Sequence, residues 1–187
     1  SRNSRFSQQM NISEIDISGW QTDSLTNMNH MFQGCQKLTS LDMSGWNTSK
    51  VTQMAAVFEI CEGLETLNVS GWDVSNVETM GQLFRRCGKL TELDLSGWET
   101  DSLVETTNMF ESDKLLATIY VGDGWNVTGV TPSTAMFGGC SNLKGENNTT
   151  YDSAHIDVTY AHVDGGEENP GYLTHIKDKP AEPEQNQ

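Results

Sequence analysis

LTSLDMSGW, residues 38–46, decides how the whole chain is read, because it recurs in register. LETLNVSGW stands at 64–72, LTELDLSGW at 90–98, ISEIDISGW at 12–20 and a looser LATIYVGDGW at 116–125. The five tryptophans, Trp20, Trp46, Trp72, Trp98 and Trp125, form one column spaced 26, 26, 26 and 27 residues apart. All six phenylalanines, Phe6, Phe32, Phe58, Phe84, Phe110 and Phe137, form a second. Rare residues do not align like this by chance, so the chain is a repeat array whose units pack on their neighbours.

Within a unit the apolar period changes. Leu41 and Met43 alternate with Ser40, Asp42 and Ser44, the pattern of a short strand with one buried face. Met54, Val57, Phe58 and Cys61 then stand three, four and seven residues apart, which predicts an amphipathic helix of about two turns. Thr26, Thr52 and Thr131 fall at the expected N-caps, with Pro132 at a first helical position. A strand followed by a returning helix places successive strands parallel. The expected fold is a β/α right-handed solenoid with short helices and one parallel sheet from strands near 15–17, 41–43, 67–69, 93–95 and 119–121. Late in the array Thr106 and Asp113 replace Met and Cys, and residues 121–124 carry one residue more than their counterparts, which reads as a bulge or loop. A buried Asp113 is costly, so it is expected to turn outward.

The repeats occupy residues 1–143. Residues 144–176 read as a cap, with a strand-like run at 156–163 and a short one at 172–174 forming a hairpin or paired strands over the apolar end. Residues 177–187, KDKPAEPEQNQ, read as a flexible linker. The chain starts in mid-repeat, at Arg5-Phe6, and is read as a piece of a longer protein. No apolar run reaches the length of a membrane helix, and the N-terminus lacks the order of a signal peptide.

The charge is strongly negative, 11 Lys plus Arg against 26 Asp plus Glu, net −15. Nucleic acid and an anionic membrane surface are therefore not expected as partners, nor, without a long apolar run, is membrane insertion, while a basic surface, a metal ion or a neutral glycan stays open. Cys35, Cys61, Cys87 and Cys140 stand in one column and read as small buried thiols, without CxxC or CxxH spacing.

The strand L-x-x-L-x-V/L-S-G-W, the following N/D-x-S-x-V-x-x-M segment and M-F-x-x-C resemble the BspA-like leucine-rich-repeat surface proteins of bacteria. The forms here are LTSLDMSGWNTSKVTQMAAVFEIC and LETLNVSGWDVSNVETMGQLFRRC. The closing YDSAHIDVTYAHVDGGEENPGYLT is similar to that family's end piece, and the Pro/Glu tail to its spacer. The resemblance implies a secreted, cell-surface or wall-attached adhesin that binds a host-cell or matrix protein, mucin or polysaccharide. The rival reading is a passive spacer that presents another module.

The candidate contact surface is the exposed strand face: Asp16, Asp42, Asn68, Asp94 and Tyr120 in one row, with Glu92 in the row beside it, which runs Glu14, Ser40, Thr66, Glu92, Thr118. Stacked carboxylates repel, so the row is screened by water or offset by a cation or basic partner. Tyr120 is its one aromatic, either a contact or a residue packed under the cap. His30, His155, His162 and His175 match no metal spacing, and Asp164-Gly165-Gly166 reads as a solvated turn or a calcium turn. No catalytic residue, metal or cofactor is expected, and the protein is expected to be a monomer. Acid near the pI of about 4.4 lowers repulsion from anionic surfaces, so attachment is expected to strengthen as pH falls.

Overall fold

The computed structural model describes residues 9, 11–131 and 135–181; Phe6, Pro132 and residues 182–187 lie outside the described residues. Four short strands occupy the motif, β1 Ser40–Asp42, β2 Thr66–Asn68, β3 Glu92–Leu95 and β4 Thr118–Val121. A fifth, β5 Thr174–His175, comes from the C-terminal region. All pairings are parallel: β1 with β2, and β3–β4–β5 in a second sheet. The expected single sheet is thus two small ones, and residues 15–17 join neither.

Glycine spacing explains the breaks. A Cβ on Gly71 would lie 1.9 Å from the Ser44 carbonyl oxygen, whereas one on Gly97 would meet the Ser70 oxygen only at 3.5 Å and one on Gly45 would meet nothing within 4 Å. Neighbouring units close tightly between β1 and β2, stand wider between β2 and β3, and are open ahead of β1. Glycine is required at Gly71 and again at Gly122, where a Cβ would lie 2.3 Å from the Ser96 carbonyl oxygen between β3 and β4, and is not required at Gly45. Gly71→Ala is expected to lower the thermal midpoint by several degrees, on the order of 2 kcal/mol or more, and Gly45→Ala to leave it unchanged; equal shifts in thermal melting of the two variants would contradict this packing.

The second half of each unit differs from expectation. The segments with M-F-x-x-C are not helices; they are tandem tight turns. Phe58 carbonyl accepts from Cys61 N–H at 3.0 Å and Met80 carbonyl from Leu83 N–H at 3.1 Å, three residues apart. Alternate amides leave the unit: Met54, Ala56, Phe58 and Ile60 donate to the carbonyls of Thr79, Gly81, Leu83 and Arg85 at 2.8–2.9 Å. Ala56, Ile60, Gln82, Arg86, Asn108 and Ser112 take positive φ between 54° and 68°, the left-handed third position of a type II turn. Such backbone is costly for a β-branched Ile60 and persists because the ladder on both sides fixes it. Each turn returns the chain to the same side, so the three-four-seven stripe still points inward. Thr26 and Thr52, expected as N-caps, instead accept at their carbonyls from Thr52 and Glu78 N–H of the next unit, at 3.0 and 2.9 Å. The only helical turns among the described residues are 3₁₀ pieces at Val158–Tyr160, Gly166–Glu168 and Ile176–Asp178.

The core is the stacked columns. Phe32, Phe58, Phe84, Phe110 and Phe137 are fully buried, with neighbouring ring centroids 5.6–5.9 Å apart and nearly parallel. Trp46, Trp72 and Trp98 are buried beside them, and Trp20 and Trp125 are half-buried at the ends. The cysteine column is buried and free of disulfides. Cys61 and Cys87 donate their thiols to the carbonyls of Phe32 and Phe58, one unit back, both at 3.2 Å. Burial pushes the Cys35 thiol up to about 11, which leaves it un-ionised at neutral pH. Asp113 stands in this column and is fully buried, contrary to the expected outward turn. Its Oδ1 accepts from Cys87 N–H at 2.7 Å, which partly offsets burial.

The cap is not a hairpin. The run 156–163 is a turn and a 3₁₀ piece, and Val163 pairs with Leu173 in parallel. It closes the core by laying Tyr172, fully buried, edge-on to Phe137 at 5.3 Å and 84°. Asp164, read as a loop acid, is buried and holds the cap together. Its carboxylate accepts from the N–H groups of Asn147, Thr149 and Gly166 and from the Thr149 hydroxyl at 2.7–3.0 Å.

Candidate binding face

Asp42 and Asn68 end β1 and β2, Asp94 stands next to the end of β3, Asp16 holds the same place in the first repeat, and each bends back on the chain. Asp16 accepts from the amide and hydroxyl of Ser18, at 3.0 and 2.7 Å. Asp42 does the same with Ser44 at 3.0 and 2.7 Å, Asn68 with the Ser70 amide at 3.1 Å and Asp94 with the Ser96 amide at 3.1 Å. These are Asx turns, in which Asp and Asn are interchangeable, and they explain the D/N-x-S of the motif as a strand stop. The row is therefore structural before it is anything else, and its side chains are held in fixed poses.

These bonds also set the charge. The hydroxyl and then the amide of Ser18 hold the Asp16 carboxyl below the usual carboxylate range. The amide and then the hydroxyl of Ser44 do so for Asp42. Both residues are exposed, so both stay anionic after ordinary carboxyls have begun to protonate.

The row divides in two. Asp16, Asp42 and Asn68 are open to solvent, and Asp16, Asp42, Trp20 and Trp46 line a shallow groove between residues 15–20 and 40–46. Glu92 and Asp94, on β3, instead meet Lys179, whose Nζ lies 3.2 Å from Glu92 Oε1 and 3.0 Å from Asp94 Oδ2. The same ammonium sits 5.1 Å from the centroid of the Tyr120 ring. Tyr120 is buried, with Lys179 over its ring. Partial burial pushes Asp94 up, but Ser96 and Lys179 outweigh it, and its carboxyl sits below the usual range.

Lys179 is the contact residue that sequence reasoning missed. It lies in KDKPAEPEQNQ, a stretch with nothing apolar to bury. The stretch read as linker begins instead with residues docked on the sheet. β5 adds to β4, His175 N–H donates to Glu146 Oε2 at 2.7 Å, and Ile176–Asp178 turns the chain toward β3. His175 itself meets Asp123 at 3.0 Å, a role that no spacing announced.

The turn side of the array is paired. Arg85 bridges Glu59 and Glu111, Arg86 meets Glu62, and Lys89 meets Glu65 at 2.8 Å. On the open half of the strand face Asp16 and Asp42 bond to Ser18 and Ser44 and, among the described residues, not to a base. Among the described residues no group of three or more His, Cys, Asp and Glu is placed to hold a metal ion. No described helix is long and apolar enough to cross a membrane.

A family model described as "Mycoplasma protein of unknown function, DUF285" matches the chain twice, over residues 2–120 and 65–163. No curated protein and no solved structure matches.

Proposed function

The chain belongs to the DUF285 family, and from that premise we propose that it is a non-catalytic recognition module of a BspA-like bacterial surface protein. In this reading the units continue as a right-handed solenoid of the leucine-rich-repeat kind. The module stands outside the cell and attaches to a host-cell or matrix protein, mucin or polysaccharide through its strand face. The observation that carries the reading is the divided row. Asp16, Asp42 and Asn68 are exposed, evenly spaced and locked in pose by their Ser partners, which is the pre-organisation a contact surface needs.

Attachment is set by how strongly this face repels anionic surfaces. Acidification from pH 7 to about 4.5 reduces the net charge and strengthens short-range contact, and salt at pH 7 partly mimics it. Asp16→Asn with Asp42→Asn keeps both Asx turns, as Asn68 already does, and removes two charges. The double variant is expected to attach about two- to fivefold more strongly at pH 7, the size of a few exposed charge interactions. Asp16 and Asp42 stay charged while ordinary carboxyls protonate, so the gain is expected to persist at pH 4.5 and the pH profile to run parallel to the native one. The check is retention of the purified chain on immobilised mucin and matrix protein at both pH values. Attachment absent at every pH and salt would favour the spacer, and attachment weakened by acid would overturn the repulsion account.

A further inference from the structure

We propose that Glu92, Asp94 and Tyr120 form a recognition site for the alkylammonium group of a lysine in an extended peptide, and that the chain's own Lys179 occupies it as a displaceable plug. The inference rests on the reading of the strand face as the contact surface and deepens it. β3 projects Glu92 and Asp94 on the same side, two residues apart, and the β3–β4 register sets Tyr120 opposite Asp94. An ammonium at this point gains two charge-assisted hydrogen bonds and an aromatic face, and Lys179 makes all three contacts. The equivalent β1 positions Ser40 and Asp42 face Thr66 and Asn68 on β2, with no aromatic among them, so Tyr120 marks the Glu92/Asp94 site off within the row.

The plug is weakly held. The Lys179 side chain is 27 % exposed and that of Glu92 48 %, and ion pairs so open to water are individually weak. The strap that carries it, from β5 through Ile176–Asp178, is short and lies on the edge of the sheet. A lysine from outside competes for the same cradle, and its apparent affinity is lowered by the fraction of time the cradle is filled.

The test uses a fluorescein-labelled tetralysine peptide and reads anisotropy at low salt. Lys179→Gln empties the cradle, and Lys177→Gln, at an exposed neighbour, removes the same charge without touching it. Lys179→Gln is expected to bind the peptide about tenfold more tightly than the Lys177→Gln control. Adding Glu92→Gln and Asp94→Asn to Lys179→Gln is expected to abolish the gain, with folding checked by far-ultraviolet circular dichroism. Equal binding by the two single variants, or a gain that survives loss of both carboxylates, would overturn the proposal. The probe is a synthetic peptide in solution, so this result is independent of whether the native chain attaches to mucin or matrix.

Discussion

Phe84→Ala is expected to lower the unfolding free energy by about 3–5 kcal/mol, the cost of removing a fully buried aromatic. Phe84 is sandwiched between Phe58 and Phe110 at 5.8 and 5.6 Å and packs beside Trp98 at 6.3 Å. The loss should also spread beyond contact energy. Alternate amides in each unit are satisfied only by the next unit, as Ala56 is by Gly81 and Gln82 by Thr107. A gap in the middle of the column therefore weakens the coupling of both halves, as expected for a nearly one-dimensional array. Urea unfolding is expected to move to a lower midpoint and to broaden. A loss below about 1 kcal/mol would show that the column is not the core.

The second large effect sits one turn away, at Asp113. Its side chain is fully buried, and its Oδ2 has no hydrogen-bond partner. Burial pushes its pKa well above the ordinary 3.8, the Cys87 amide opposes this, and Glu111 adds to it. The thiols of Cys87 and Cys140 are its neighbours in the column, and both are pushed up themselves, chiefly by burial. Because the folded-state pKa is raised, the folded state holds a proton that the unfolded state releases above about pH 4. Stability is full below that pH and declines as pH rises toward the folded-state pKa.

Asp113→Cys restores the column, and Cys87 N–H keeps its bond to the Phe84 carbonyl at 3.0 Å. The advantage of the variant over the native chain is expected to grow from pH 4 to pH 7, because the unfolded Asp113 carboxyl releases its proton over that range and the folded one holds it. Chemical unfolding across that range checks it. A difference that does not change with pH would mean that Asp113 titrates normally.

The repeat and its columns were legible because Trp and Phe are rare and large, and only a stacked core keeps them in register. Four of the five expected strands were legible from alternation, to within one or two residues, and the one near 15–17 did not form. The turn segments were not, since residues at offsets of three, four and seven face one way both on a helix and on two successive tight turns. What separates the two is left-handed backbone at every fourth residue, and here it falls on Ala56, Ile60, Gln82 and Arg86. None of these types signals it; only Gly34 and Gly139, at φ 77°, do. The acidic row was legible as a row, but its division was not. The lysine that fills half of it arrives from 85 residues away in sequence, across a stretch whose composition predicts no contact.

The open strand face is the central claim, and a matched pair of charge insertions tests it most directly. Asn68→Arg places a cation on that face, opposite Asp42 of β1. Val104→Arg makes the same change in charge at an exposed residue of the connection after the Trp98 strand. Attachment of the two purified variants to mucin and matrix protein is measured at pH 7 against the native chain. The account predicts that Asn68→Arg changes attachment by several-fold while Val104→Arg leaves it within error. Equal changes from both, or a change from Val104→Arg alone, would place the contact elsewhere on the array.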